Sequence, residues 1–292
     1  GNKLEHGSIQ PEIKNALSVL RQLYSEGVIV QDFAVKGEQA IADEITMNKS
    51  GIIFGEQWLC AYPLQSLYNQ NNNTEWKAFP LFHNGDNETK VQLSMGTYGW
   101  WVVSNSCRHP EALIKMMNVY VQSIWGEDGD FNYYYMPKDT GAPVWKLSPF
   151  NPEPPTKNLD AYLAIKRFKE DESSGPLTGE AKDIYDNIQD FSNGNKNKWS
   201  WVVGYNPDEA VYEAMNKYYE NDMFIYDKFS GPPTKSMPTK YILMNQNTME
   251  VFTRIINGSS PLSEFDSFVT QWKNMGGNDI TKEVNEWYYG NS

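Results

Sequence analysis

The chain of 292 residues has few of the residues and motifs that several large enzyme classes need. It contains three histidines and no H-E-x-x-H pattern, which leaves a zinc hydrolase without its usual ligands. It also has no G-x-S-x-G, Walker-type or G-x-G-x-x-G motif, and this argues against acyl transfer and nucleotide chemistry. These absences argue against those enzyme classes, and we expect no metal site and no cofactor.

Cysteine, long apolar runs and positive charge are scarce as well. The two cysteines, Cys60 and Cys107, have no metal-type spacing, and we expect both to be free and buried, with a disulfide as the alternative. No stretch reaches the roughly 18 apolar residues of a membrane span. The net charge of -12 would repel a phosphate backbone, so nucleic acid is not an expected partner.

Aromatic residues, in contrast, are abundant at 14%, with ten tryptophans. Some lie at helical spacing and are expected in the core: Phe265, Phe268, Trp272 and Trp287. Others are predicted at strand ends or in loops, where periodic burial does not explain a large ring: Trp58, Trp100, Trp145, Trp199 and Trp201. Such rings can stack on the C–H faces of sugars while neighbouring amides and carboxylates bind the hydroxyls.

Apolar periodicity predicts a helix-rich chain with few strands. Helices are expected over 11–27, 110–125, 159–171, 178–191, from about 208, over 239–257, from 261 and near 280–287. The expected strands are a buried one at 52–54 and another at 98–104. Residues 126–158 lose this periodicity and are predicted to form a long surface excursion.

Two of these places suggest ligand contacts. Glu56 and Trp58 follow the strand at 52–54, and ligands of open α/β sheets gather at the carboxyl ends of strands. Glu56 could also serve as one of a pair of glycosidase carboxylates, or only as a hydrogen-bonding group. In the strand at 98–104, alternation would place Trp100 and Trp101 on opposite faces, and we assign Tyr98 and Trp100 to the ligand side.

Four segments, in order, resemble one protein family. They are HGSIQPEIKNALSVLRQLYSEGVIVQDFAV (6–35), KSGIIFGEQW (49–58), GWWVVSNSCRHPEALIKMMN (99–118) and the stretch from FSGPPTKSMPTKY to VNEWY (229–288). Together they are similar to the lipoprotein-type extracellular solute-binding proteins, family 1, of bacterial ABC importers. The variable middle, from about 126 to 228, does not share the resemblance.

The resemblance implies an α/β, helix-rich fold of the periplasmic-binding-protein type II, in which two lobes with crossing segments close on ligand. It implies C-terminal-lobe segments at 1–97 and 229–292, an N-terminal-lobe segment at 98–149 and a helical insertion at 150–228. Members of the family run longer, so the chain looks like the C-terminal portion of a binding protein, with an incomplete N-terminal lobe. Tyr241 would lie on a segment that approaches the cleft.

The resemblance and the loop tryptophans lead us to expect a protein that is not an enzyme and that captures an oligosaccharide for an ABC importer. The predicted ligand-binding residues are Glu56, Trp58, Tyr98, Trp100, Trp145, Trp201 and Tyr241. The expected partners are the sugar and the membrane permease, and the expected form is a monomer, lipid-anchored on the bacterial cell surface in the full-length protein. The alternatives are a carbohydrate-active enzyme and a surface adhesion or regulatory module on the same fold.

Overall fold

A computed structural model describes residues 3–81, 89–93, 99–137, 143–207 and 210–290. About 60% of the chain is helical and 2% is strand, so the class is helix-rich with a small sheet. The helices are α1 (Pro11–Ser25), α2 (Glu38–Thr46), α3 (Leu64–Gln70), α4 (Glu111–Trp125), α5 (Phe131–Tyr134), α6 (Lys157–Glu170), α7 (Gly179–Ser192), α8 (Trp199–Tyr205), α9 (Val211–Glu220), α10 (Met237–Ile256), α11 (Glu264–Trp272) and α12 (Asn278–Gly290). The strands are β1 (Val91–Leu93) and β2 (Phe224–Tyr226).

The chain divides into two compact units. Unit 1 comprises residues 1–39 and 227–292, and unit 2 comprises residues 40–226. The implied assignment of segments to an N-terminal and a C-terminal lobe stays a prediction. Within the described residues, no helix is both long and apolar enough to cross a membrane.

Unit 1 is a helical assembly around α10. This helix packs on α1 and α11, and its Met244, Val251 and Ile255 are almost completely buried. Phe268 and Trp272 of α11 complete the core, as predicted, whereas Trp287 is half-buried against Phe229 at 5.0 Å between ring centroids. Burial of side chains of this size stabilises a fold by about 1.5–3 kcal/mol each, so the cluster accounts for the unit's integrity.

Two glycines allow the chain to pass from α11 to α12. Gly276 has φ +142°, a conformation that side chains rarely adopt, and it ends the helical path of α11. A Cβ added at Gly277 would lie 2.1 Å from Cζ3 of Trp272, so the backbone passes directly over the buried indole ring. The stop predicted from the Gly-Gly pair is confirmed.

Unit 2 is built around α6, α7, α8 and α9. Tyr162 and Ile165 of α6 pack against Ile184 and Ile188 of α7, and all four side chains are buried. A second cluster joins Ile45, α3 and Trp199, whose ring stacks on Tyr68 at 4.8 Å. Trp199, one of the rings predicted to be available to ligand, is therefore a core residue.

The described strands form a two-stranded parallel sheet. Val91 pairs with Phe224, and Leu93 pairs with Tyr226. Three residues per strand make a small sheet, so the core of unit 2 is formed by helix packing.

The two strands predicted near Trp58 and Trp100 are wrong, because the described residues of these segments do not form strands. Residues 52–54 are extended without a sheet partner, and Ile52 and Phe54 are 78% and 81% exposed rather than buried. Residues 99–104 also lack a partner strand, and Trp100 and Trp101 are both exposed. Apolar β-branched composition favours strands only when a neighbouring strand is present, and none pairs with either segment among the described residues.

The helix predictions are confirmed for most of the chain, with ends within a few residues of the predicted ones. Two regions differ. The described part of 126–158 is not simply a surface excursion, because Phe131, Tyr135 and Phe150 are buried. The WSWVV stretch is the start of helix α8 rather than a loop, since packing of Trp199 into the core outweighs the weak helix preference of two valines.

Candidate functional site

The candidate site is a groove on unit 2 with a volume of about 620 Å³. Its apolar part is formed by Met136, Pro137, Pro143 and the indole of Trp201. This volume lies within the range of small-molecule sites, which usually combine an apolar or aromatic wall with a few polar groups.

The polar part of the lining belongs mainly to one helix. Asp183, Asn187 and Asp190 are at positions i, i+4 and i+7 of α7, so they lie along one face. Three more polar side chains complete the lining: Asp186, Gln189 and Lys198. The lining therefore combines hydrogen-bonding groups with one aromatic ring.

Asn187 has a defined orientation in this wall. It is 9% exposed, and its Nδ2 donates to the backbone oxygen of Asp183 at 2.7 Å and to Asp183 Oδ2 at 3.3 Å. Its Oδ1 accepts no hydrogen bond from any described residue. The carboxamide therefore offers an acceptor to whatever occupies the groove.

Trp201 is held by its own helix and by a neighbouring ring. Its indole stacks on Tyr205 at 5.9 Å between centroids with an interplanar angle of 27°. Tyr205 is buried and stacks in turn on Tyr212 at 4.4 Å. Burial raises the pKa of the Tyr205 phenol far above its ordinary value, and that of Tyr212 to about 12, so both stay neutral at physiological pH.

A network of polar residues lies behind the groove. Lys157 Nζ donates to Tyr135 Oη at 2.8 Å and to Glu153 Oε1 at 2.9 Å, and it lies 3.8 Å from Glu180 Oε1. The same ammonium lies over the ring of Tyr135 at 4.7 Å. Asn158 Nδ2 links Glu180 Oε1 to Tyr205 Oη, with 3.1 Å to each oxygen.

The network joins elements that carry groove residues. Tyr135 precedes Met136, Glu180 precedes Asp183 by one turn, and Tyr205 follows Trp201 by one turn. Burial raises the pKa of Glu180 to about 7; Lys157 opposes the rise, and the negative charges of Glu153, Asp183 and Asp160 add to it. Glu180 is therefore partly protonated at neutral pH.

Glu56 and Trp58 contact each other but do not line the groove. Trp58 Nε1 donates to Glu56 Oε2 at 2.7 Å, on the 3-10 turn Gln57–Cys60. Both side chains are exposed, and α8 packs against this turn. The pair therefore lies near the helix that carries Trp201. Glu56 accepts a hydrogen bond here, which is one of the two roles that the sequence allowed for it.

The other predicted residues are dispersed. Trp100 is 78% exposed on an unpaired extended segment, and Trp145 is half-buried, stacked on Tyr135 at 6.0 Å. Tyr98 lies outside the described residues. Tyr241 belongs to unit 1, where it packs against the core with its hydroxyl 3.5 Å from His6 Nε2. Whether any of these residues binds ligand stays a prediction.

Most of the groove's polar residues were missed by sequence reasoning. Asp183, Asn187 and Asp190 lie on a helix that was predicted, and their spacing on one face was a signal that could have been read. What the sequence does not reveal is that Met136, Pro143 and Trp201, distant in the chain, line the same groove as that face.

Two other kinds of site have less support among the described residues. A depression of about 590 Å³ over α11 is lined by Ser267, Thr270, Gln271, Asn274 and Met275, and it offers neither an aromatic ring nor a charge. No group of three or more His, Cys, Asp or Glu side chains among the described residues is arranged to hold a metal ion.

A similar protein is the "Uncharacterized protein in butB 5'region" of Niallia circulans. It is 20% identical over 281 residues, which cover 93% of this chain and 97% of the relative. Its name states no activity. No family model matches the chain, and no solved structure matches it.

Proposed function

We propose that this chain is a non-catalytic solute-binding protein that captures an oligosaccharide in the groove beside Trp201. The observation that carries the proposal is a groove of about 620 Å³ whose lining combines the ring of Trp201 with the polar side chains of one face of α7. Sugar rings have apolar C–H faces and polar rims, so this combination suits them better than a wholly apolar or wholly charged ligand.

The wider context of the proposal comes from the family resemblance of the four sequence segments. It includes a periplasmic-binding-protein type II fold with two lobes and crossing segments. It also includes lipid anchoring on the bacterial cell surface and delivery of the sugar to an ABC permease. The exposed rings of Trp58 and Trp100 would then be additional contacts for a ligand longer than the groove.

Binding is tested by isothermal titration calorimetry with a panel of neutral and charged oligosaccharides. We expect at least one of them to bind, and Trp201→Ala to weaken it by about 30-fold, which is about 2 kcal/mol and typical of a stacked aromatic contact. Tyr289→Ala, which removes an exposed ring of unit 1 outside the groove lining, is the control and should bind as tightly as the parent. Binding that is lost in Trp100→Ala but kept in Trp201→Ala would place the site elsewhere.

Two measurements separate this proposal from its rivals. Chromatography of the panel after prolonged incubation with the protein should return every sugar uncut, and cleavage would identify an enzyme. Uptake of the bound sugar by cells should fall when the gene is deleted. Unchanged uptake together with sugar binding in vitro would favour an adhesion or regulatory role.

A further inference from the structure

Among the described lining residues, the polar groups of α7 are mainly hydrogen-bond acceptors, and the donors left for a ligand are those of Gln189, Lys198 and Trp201. Carboxylates accept hydrogen bonds only, and the lining contains three of them, from Asp183, Asp186 and Asp190. Asn187 uses its donor on Asp183 and leaves only Oδ1 for a ligand. A ligand that satisfies this wall has to bring donors.

The charges in the groove also favour a ligand that brings hydrogen-bond donors. Among the described lining residues, three are carboxylates and one, Lys198, is an ammonium. Asp186 is paired with Lys182, whereas Asp190 and Lys198 form no ion pair among the described residues. Asp190 is therefore a lining carboxylate that no described cation neutralises, within a chain whose net charge is -12. Cations are attracted to such a groove and anions are repelled.

Asn187 and Asp190 are neighbouring acceptors on α7. They are three residues apart on α7, and side chains at this spacing are neighbours, with about 5–6 Å between Cβ atoms. An ammonium group has three N–H donors and no acceptor, so one such group can donate to both side chains at once. A hydroxyl has a single donor and would leave one of them without a partner.

We propose that the groove prefers an oligosaccharide with free, protonated amino groups, of the glucosamine type, over neutral and N-acetylated sugars. The ring would stack on Trp201, and the ammonium would donate to Asn187 Oδ1 and the Asp190 carboxylate. This inference rests on the proposed function, because it names the sugar class for the same groove. Charge-assisted hydrogen bonds are roughly twice as strong as neutral ones, so we expect a preference of about tenfold.

The test compares three β-1,4-linked oligomers of equal length that differ only at C2 of the sugar: amino, N-acetylamino and hydroxyl. Calorimetry is done at a pH where the amine is protonated, at low and at high salt. We expect the amino oligomer to bind about tenfold tighter, and we expect this advantage to shrink as salt screens the charges. Oligolysine of the same charge is included, and it should bind more weakly because it has no ring to stack.

Variants locate the preference on α7. In Asp190→Asn the affinity ratio between amino and hydroxyl oligomers should fall towards one, whereas Asp128→Asn, an exposed site elsewhere in unit 2, should keep the parent ratio. A hydroxyl or N-acetyl oligomer that binds as tightly as the amino oligomer would overturn the inference and leave the proposed function standing. Equal binding of oligolysine would also overturn it. If no saccharide binds, both proposals fail.

Discussion

Replacement of Glu180 by glutamine should change how stability depends on pH. Glu180 begins α7 close to the groove, with a side chain that is only 12% exposed. Burial raises the pKa of this carboxyl from 4.5 to about 7 in the folded protein. The folded state therefore binds the proton more tightly than the unfolded state, and the group destabilises the fold once it is ionised.

The direction and the size of this change in the free energy of unfolding follow from the linkage between proton binding and folding. Because the pKa of Glu180 is raised on folding, the protonated side chain makes its full contribution to stability below pH 4.5, the pKa in the unfolded chain. This contribution is lost as the pH rises through about 7, the pKa in the folded protein. A tenfold change in proton affinity corresponds to about 1.4 kcal/mol, so ionisation of Glu180 costs about 3 kcal/mol of the free energy of unfolding. Glutamine keeps the acceptor that Asn158 bonds and carries no charge at any pH.

The assay is urea unfolding followed by circular dichroism at about pH 4 and about pH 8. Glu180→Gln should match the parent at the lower pH and exceed it by up to about 3 kcal/mol at the higher pH. Glu12→Gln, in the exposed first turn of α1, is the matched control and should stay within about 0.5 kcal/mol of the parent at both. A Glu180→Gln variant that is less stable than the parent at about pH 8 would refute the reasoning, because it would mean that the Lys157–Glu180 attraction outweighs the burial cost.

Two more predictions concern stability and reactivity. Gly277→Ala should destabilise unit 1 by about 1–3 kcal/mol in urea unfolding, because its Cβ would meet the buried ring of Trp272. Gly290→Ala, with no heavy atom near its added Cβ, is the control, and equal effects of the two changes would contradict the packing argument. A thiol reagent at neutral pH should modify the exposed Cys107 but not the buried Cys60, whose pKa burial raises to about 11. A Cys107→Ser variant should therefore react only after unfolding, and rapid reaction of the folded variant would show that Cys60 is accessible.

Helices were predictable from the sequence because their apolar periodicity is local. α10 and α11 have apolar stripes that need only a neighbouring helix, and the burial of Phe268 and Trp272 followed from spacing alone. The strands predicted at 52–54 and 98–104 are wrong where the chain is described, because composition cannot show whether a partner strand exists. Both segments have β-branched or aromatic residues and no neighbour to pair with among the described residues.

The candidate site was predictable only in part for a similar reason. Trp201 was identified because a large ring outside an evident stripe stands out in a sequence. Its polar counterparts, Asn187 and Asp190, lie on an ordinary-looking helix and become relevant only when packing brings α7 and α8 together. Trp199, two residues from Trp201, shows the opposite error, since a ring with the same local sequence context is buried in the core.

A crystal structure of the protein with a bound glucosamine-type oligosaccharide tests the central claim most directly. The account predicts a sugar ring stacked on the indole of Trp201, with its polar groups within hydrogen-bond distance of Asn187 Oδ1 and the Asp190 carboxylate. A sugar bound at Trp58 or Trp100, with the groove beside Trp201 empty, would contradict it.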